Sequence, residues 1–338
     1  MKIVLLLLSL LSTAWAHAQT VQPPNLSARA WLLVDHASGQ SLVEHEADAR
    51  VEPASLTKLM TAYLTFAALK QGSLKLDQAV TVSERAWKAP GSRMFIDPKH
   101  PVTIGELIQG MIIQSGNDAC IALAEAIAGS EEAFAQRMNL EARRLGLANT
   151  HYVNATGLPD PQHYSTARDL AKLAQAVIRD FPEYYTTYSR KEYTYNRITQ
   201  PNRNRLLWLD PTVDGVKTGF TENAGYCLIA SSKRSARRLI SVVLGADSDS
   251  MRAQESQRLL NHGFLNFDAV RVHEKNQVVS QLKVFKGAQG TVKVGFQEDL
   301  VLSLPKGMAE RLKTELVSRQ PLLAPVQQGD AIATLKLS

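Results

Sequence analysis

The stretch Pro53-Ala54-Ser55-Leu56-Thr57-Lys58 decides how the rest of the chain is read. A serine followed three residues later by a lysine stacks both side chains on one face of a helix, one turn apart. Pro53 suits a first helical turn. Leu59, Met60, Tyr63, Leu64, Ala67 and Ala68 then recur at helical spacing, and Gly72 marks a stop. Ser55 therefore falls near a helix N-terminus, where backbone N–H groups and the helix dipole favour developing negative charge. Lys58 can take the serine proton if burial or another cation lowers its own pKa.

The S-x-x-K spacing alone is weak, since roughly one chance match is expected in a chain of this length. Two further matches occur, Ser280/Lys283 and Ser303/Lys306. Both lie in segments of alternating strand character, where that spacing sends the two side chains to opposite faces.

At the N-terminus, Lys2 precedes an apolar run from Ile3 through Leu11, and Ala16-His17-Ala18 follows. This predicts a signal peptide over residues 1–18, cleaved after Ala18 and leaving an exported chain from Gln19 to Ser338. No later apolar run is long enough to span a bilayer. A mature chain of this length predicts two domains. The composition, 45% hydrophobic and 21% charged, is that of a soluble globular protein. Basic residues are dispersed, which argues against nucleic acid as a partner. The densest group, Lys233, Arg234, Arg237 and Arg238, reads as a solvated hairpin tip, with contact to an anionic surface as the alternative.

The only cysteines, Cys120 and Cys227, lie in apolar segments and read as separate thiols. The eight histidines show no metal spacing, and no metal or other cofactor is implied.

Ala30–Val34 and Ser41–Glu44 read as paired strands. Helical spacing covers 102–128, broken at Ser115-Gly116-Asn117, and returns at Phe134–Leu145. Ser165 and Asp169 frame the start of a helix over Ala167–Arg179. Strand-like segments follow at Glu192–Ile198, Gly225–Ser231 and Leu239–Gly245, then a helix over Ser250–Phe264. From about Arg271 the pattern becomes short alternating segments: Val278–Phe285, Thr291–Phe296, Leu300–Leu304 and Ala331–Leu337. The expected division is 1–18 signal peptide, 19–268 helix-rich domain and 269–338 β-rich domain.

Ser115-Gly116-Asn117 is the only S-x-N in the chain, and Lys217-Thr218-Gly219 the only K-T-G. With Ser55/Lys58 they stand in the order known for penicillin-binding proteins and class A β-lactamases. From the first hairpin to about Phe267 the chain resembles the low-molecular-mass penicillin-binding proteins of the D-alanyl-D-alanine carboxypeptidase kind, the penicillin-binding protein 5/6 type. Pro53–Lys58, Ser115–Cys120, Asp214–Gly219, Asn202-Arg203-Asn204 and Arg252 carry the likeness, and the β-rich tail resembles the family's second domain.

That resemblance implies an α+β fold: a penicillin-binding/β-lactamase-like domain, with an antiparallel sheet flanked by helices, then a small all-β domain. It implies that Ser55 attacks the carbonyl between two D-alanines, with Lys58 as base and the cation Lys217 nearby. Ser115 would relay a proton to the leaving D-alanine, and Asn117 would orient Lys58 and hold a substrate amide. Lys217, Thr218 and Gly219 would lie on an edge strand, where Gly219 lets the peptide approach as an added strand. The N–H groups of Ser55 and Phe220 would form the oxyanion hole. Arg203 and Arg252 are candidates for the terminal carboxylate, with surface ion pairing as the alternative. Asp180 is a candidate to tune Lys58 or Lys217, or else a helix-end residue.

The expected activity is serine D-Ala-D-Ala carboxypeptidase action on peptidoglycan stem peptides, with β-lactams as covalent inhibitors, in the periplasm. The alternatives are a D,D-endopeptidase, a β-lactamase (although no E-x-x-L-N is present), and a wall-binding or β-lactam-sensing protein. Thr156 and Phe220 stand where some relatives carry histidine. The family usually adds an amphipathic membrane-binding helix that this sequence does not show, which leaves membrane-surface association open.

Overall fold

The computed structural model describes residues 21–338, so the expected signal peptide lies outside the described residues. Its first region is built on a five-stranded antiparallel sheet. The strands are β1 (Ala30–Asp35), β2 (Ser41–His45), β7 (Val213–Thr221), β8 (Gly225–Arg234) and β9 (Arg237–Ala246), in the spatial order β2-β1-β9-β8-β7. Two small two-stranded ladders stand apart from it. One pairs β3 (Ala79–Val80) with β4 (Val102–Thr103), the other β5 (Glu192–Tyr195) with β6 (Ile198–Pro201).

The apolar run of β1 follows from burial on both faces. Ala30, Leu32 and Val34 face the larger core, which is built with α1 (Lys58–Lys70), α3 (Ile104–Ile113), α4 (Asn117–Ala128), α5 (Glu131–Arg144) and α6 (Ala167–Asp180). Trp31 and Leu33 face the opposite core, shared with Leu259 and Leu260 of α9 (Asp249–Asn266). The short helices α2 (Glu84–Trp87), α7 (Pro182–Tyr185) and α8 (Leu206–Leu209) lie in the connections.

Helix α1 is the interior element. Only Leu64, Ala67 and Lys70 escape full burial, as expected of a helix apolar on nearly all sides. A 3₁₀ turn over Ala54–Thr57 runs straight into it, so Ser55 sits on the turn and Lys58 opens the helix. Gly72 (φ +75°) follows the helix end as expected.

Several expectations are corrected. The cap of α6 is Thr166, whose hydroxyl accepts from Asp169 N (3.1 Å), while Ser165 pairs with the backbone of Val51. The segment 192–198 does not run as one strand. Asn196 and Arg197 turn it back through positive φ into the β5–β6 hairpin. Of the four basic residues at the β8–β9 turn, only Lys233 is exposed. Arg234 pairs with Asp210 (3.3 Å), Arg237 with the fully buried Asp35 (2.8 Å) and Arg238 with Asp214 (2.7 Å).

The second region is all β: β10 (Phe267–His273), β11 (Val278–Phe285), β12 (Thr291–Gly295), β13 (Leu300–Pro305), β14 (Thr314–Ser318), β15 (Leu322–Leu323) and β16 (Ala333–Leu337). Its ladders are β10–β13, β12–β11–β15 and β14–β16. Ser280 and Lys283 lie on β11; Ser303 lies on β13, with Lys306 just beyond it. Cys120 and Cys227 are both buried free thiols.

Candidate active site

Three elements converge where the edge strand β7 passes the Ala54–Thr57 turn and the α3–α4 break. A cleft of about 810 Å³ opens there. Ser55, Ser115 and Asn117 form one wall, and Thr218, Gly219 and Phe220 the other. Arg203 and Arg252 reach in from α8's approach and from the first turn of α9. Lys58 and Lys217 lie beneath, at 1% and 3% exposure.

Lys58 Nζ donates to Ser55 Oγ (2.9 Å) and to the Thr156 carbonyl (2.6 Å). Lys217 Nζ donates to Ser115 Oγ (2.9 Å) and to the Thr218 carbonyl (3.0 Å). Each hydroxyl is thus coupled to its own buried amine. Because α1 is a core helix, Lys58 loses its water. Burial pulls its pKa down to about 8, and Arg203 adds to that, while Asp118 and Glu131 oppose it. Burial likewise holds Lys217 well below the usual lysine value, with Lys58 and Arg203 adding. A lysine near 8 can serve as a base under mild conditions.

Ser115 takes positive φ (+68°), an uncommon conformation for a residue with a side chain, and this turns its hydroxyl into the cleft. Asp118 fastens the turn to the loop above it, accepting from Met94 N (2.9 Å), Phe95 N (2.8 Å) and Ile96 N (3.3 Å). Arg203 is aimed by its neighbours. Asn202 Nδ2 donates to Arg190 O (2.9 Å) and Asn204 Nδ2 to Gly215 O (2.9 Å), fixing the backbone on either side. Arg203 Nε donates to Gln114 O (3.2 Å). Arg252 donates to Gly219 O (3.0 Å) and pairs with Asp249, so it braces β7 as well as facing the cleft.

Three expectations change. Asn117 Nδ2 donates to Pro90 O (2.6 Å), not to Lys58, whose bonds go to Ser55 and Thr156. A Cβ on Gly219 would meet Pro53 O at 3.1 Å and Ala54 Cβ at 3.3 Å. The glycine is therefore also constrained by packing against the Ser55 turn, which the resemblance does not imply. Asp180 lies outside the cleft. It accepts from Tyr63 Oη (2.8 Å) and pairs with Arg179 (2.7 Å), and the carboxylates acting on Lys58 are Asp118 and Glu131. Among the described residues no cluster of three or more metal-ligating side chains occurs.

Residues 17–248 match the family model described as D-alanyl-D-alanine carboxypeptidase, and residues 267–338 the one described as penicillin-binding protein 5, C-terminal domain. The chain belongs to the D-alanyl-D-alanine carboxypeptidase family. It is 45% identical to D-alanyl-D-alanine carboxypeptidase DacC of Escherichia coli (strain K12) over 331 residues, 96% of this chain and 83% of the relative. Penicillin-binding protein 5 from Haemophilus influenzae superposes with a TM-score of 0.91 at 41% identity, covering 94% of each chain. Penicillin-binding protein D2 from Listeria monocytogenes, solved in an ampicillin-bound form, matches 72% of this chain and all of its own at a TM-score of 0.67 and 32% identity.

Proposed function

We propose that this member of the family is a serine D-alanyl-D-alanine carboxypeptidase that removes the terminal D-alanine from peptidoglycan stem peptides. The observation that carries the reading is Ser55 Oγ held 2.9 Å from the amine of a buried lysine. Neutral Lys58 takes the hydroxyl proton as Ser55 Oγ attacks the carbonyl between the two D-alanines. The N–H groups of Ser55 and Phe220 receive the oxyanion. The proton passes by way of Ser115 to the departing nitrogen, the C–N bond breaks, and D-alanine leaves an ester on Ser55. Water then hydrolyses the ester. Lys217, Thr218 and Arg203 take the terminal carboxylate, Asn117 the substrate amide, and Arg252 holds the strand that carries them.

A β-lactam enters by the same attack and stays as an acyl-enzyme. Residues 19–268 form the catalytic domain, 269–338 the β domain, and the enzyme works outside the cytoplasmic membrane. No described helix is long and apolar enough to cross a membrane. The test is release of D-alanine from a peptide ending in D-Ala-D-Ala, together with mass-mapping of a fluorescent penicillin adduct. The expected result is turnover and a single adduct on Ser55, both lost in Ser55→Ala. An adduct that survives Ser55→Ala would overturn the reading.

A further inference from the structure

We infer that Asn154 is a positioning residue for the general base: its side chain folds the 154–158 loop so that the Thr156 carbonyl holds the Lys58 amine. One oxygen, Asn154 Oδ1, accepts from Thr156 N (3.1 Å), Thr156 Oγ1 (2.9 Å) and Gly157 N (2.7 Å). Asn154 Nδ2 closes the loop by donating to Leu158 O (3.0 Å), and Thr156 Oγ1 accepts from Leu158 N (3.2 Å). The loop is pinned to its surroundings at the residue between. Ala155 N donates to Glu131 Oε1 (3.0 Å), and Ala155 O accepts from Thr61 Oγ1 of α1 (2.7 Å). Gly157, at φ +82°, passes so close to the Ser55 turn that a Cβ there would lie 1.8 Å from Ala54 O.

The outcome is one carbonyl, Thr156 O, delivered 2.6 Å from Lys58 Nζ. That contact has a chemical consequence. A neutral amine has two N–H donors and one lone pair. If Thr156 O takes one donor, rotation about the Cε–Nζ bond is restricted and the lone pair can be presented to the Ser55 hydroxyl. If the carbonyl turns away, the lone pair samples directions from which no proton can be taken. The same carbonyl dipole favours the protonated amine, so its loss lowers the pH at which Lys58 becomes neutral. The charged and titratable groups that also bear on Lys58 are Arg203, Asp118, Glu131 and Cys120, with Lys217 and His163 coupled to it. None of them hydrogen-bonds Asn154 itself, although Glu131 holds the neighbouring Ala155 N.

This inference rests on Lys58 acting as the base for Ser55. The experiment measures second-order acylation by penicillin against pH, with thermal unfolding as the control for folding. Asn154→Ala is expected to slow acylation ten- to a hundredfold and to move the rising limb to lower pH. Asn154→Asp keeps the acceptor oxygen but loses the donor to Leu158 O, so it is expected to recover only part of the rate, with the limb at or above the wild-type position because a carboxylate favours the ammonium. Should Asn154→Ala fail to fold, Asn154→Ser, which retains a shorter acceptor, gives the same direction at smaller amplitude. A folded Ala or Ser variant with the wild-type rate and limb overturns the inference, as does an Asp variant whose limb moves to lower pH as that of Ala does. Those results leave wild-type acylation at Ser55 intact, whereas a wild type that is not acylated defeats the proposed function itself.

Discussion

Lys58 is the residue at which stability and chemistry oppose each other. In the unfolded chain it titrates near 10.5, in the fold at about 8. Between those values the unfolded chain binds more protons, so folding becomes more favourable as pH rises through that window. Below about pH 8 the buried ammonium is a standing cost. The gap corresponds to roughly 3 kcal/mol, and orphaning the Thr156 carbonyl would return about 1 kcal/mol. Lys58→Met is therefore expected to stabilise the protein at neutral pH by about 2 kcal/mol, read by denaturant unfolding, while abolishing acylation; a destabilised variant would contradict this. The acylation rate should rise with pH through about 8 in the wild type. Arg203→Gln removes a cation that lowers the Lys58 pKa, so the limb should move upward. A limb left in place would mean that another group is the base.

What the sequence disclosed at this scale follows from where the chemistry resides. The roles proposed for Ser55, Lys58, Ser115 and Lys217 rest on side chains at fixed spacings, and a spacing can be read. The Thr156 oxygen belongs to the backbone, which every residue shares, so nothing in the sequence points to it or to Asn154 behind it. The resemblance singles out Asp180 by position alone, whereas an acid acts through its distance from an amine. That distance depends on how α6 packs.

At the scale of elements, the crossing of β7 over the 3₁₀ turn decides the site. Gly219 is the contact point, so the strand and the nucleophile share one fit. Gly219→Ala must displace Pro53 or Ala54 by a few tenths of an ångström. Acylation is expected to fall by ten- to a hundredfold, since a small misplacement at the nucleophile is costly, with a modest loss of stability. Penicillin acylation rates alongside thermal unfolding check it; a rate within twofold of wild type would mean that the turn yields freely. Helix α1 was legible from its spacing, and β1 from its apolar run. The β5–β6 hairpin reads as one strand in the sequence because Asn196 and Arg197 turn without glycine. The arginines of the β8–β9 turn were visible as charges, but their partners Asp35 and Asp214 are remote in sequence.

At the scale of the whole molecule, the β domain joins the sheet far from the cleft. Ser38 and Ser303 share a hydrogen bond (3.2 Å), Ser303 N donates to Gln40 (2.6 Å), and Arg237 bonds the Phe267 carbonyl. Ser38 and Gln40 belong to the β1–β2 turn, and β2 is the opposite edge of the sheet from β7. A chain ending at Phe267 is thus expected to release D-alanine from a short peptide at near the full-length rate. A folded truncation slower by a hundredfold, about 2.7 kcal/mol of barrier, would show that the β domain shapes the cleft.

Strand β7 closes the sheet on one side and leaves its other side unpaired along the cleft. In most proteins such a bare margin invites self-association, and natural sheets blunt it with charges, bulges or cover. Here the margin lies between the Ser55 turn and the arginines Arg203 and Arg252, which line the same cleft. A margin set back in this way is expected to resist edge-to-edge pairing of two copies, while still admitting a single extended peptide.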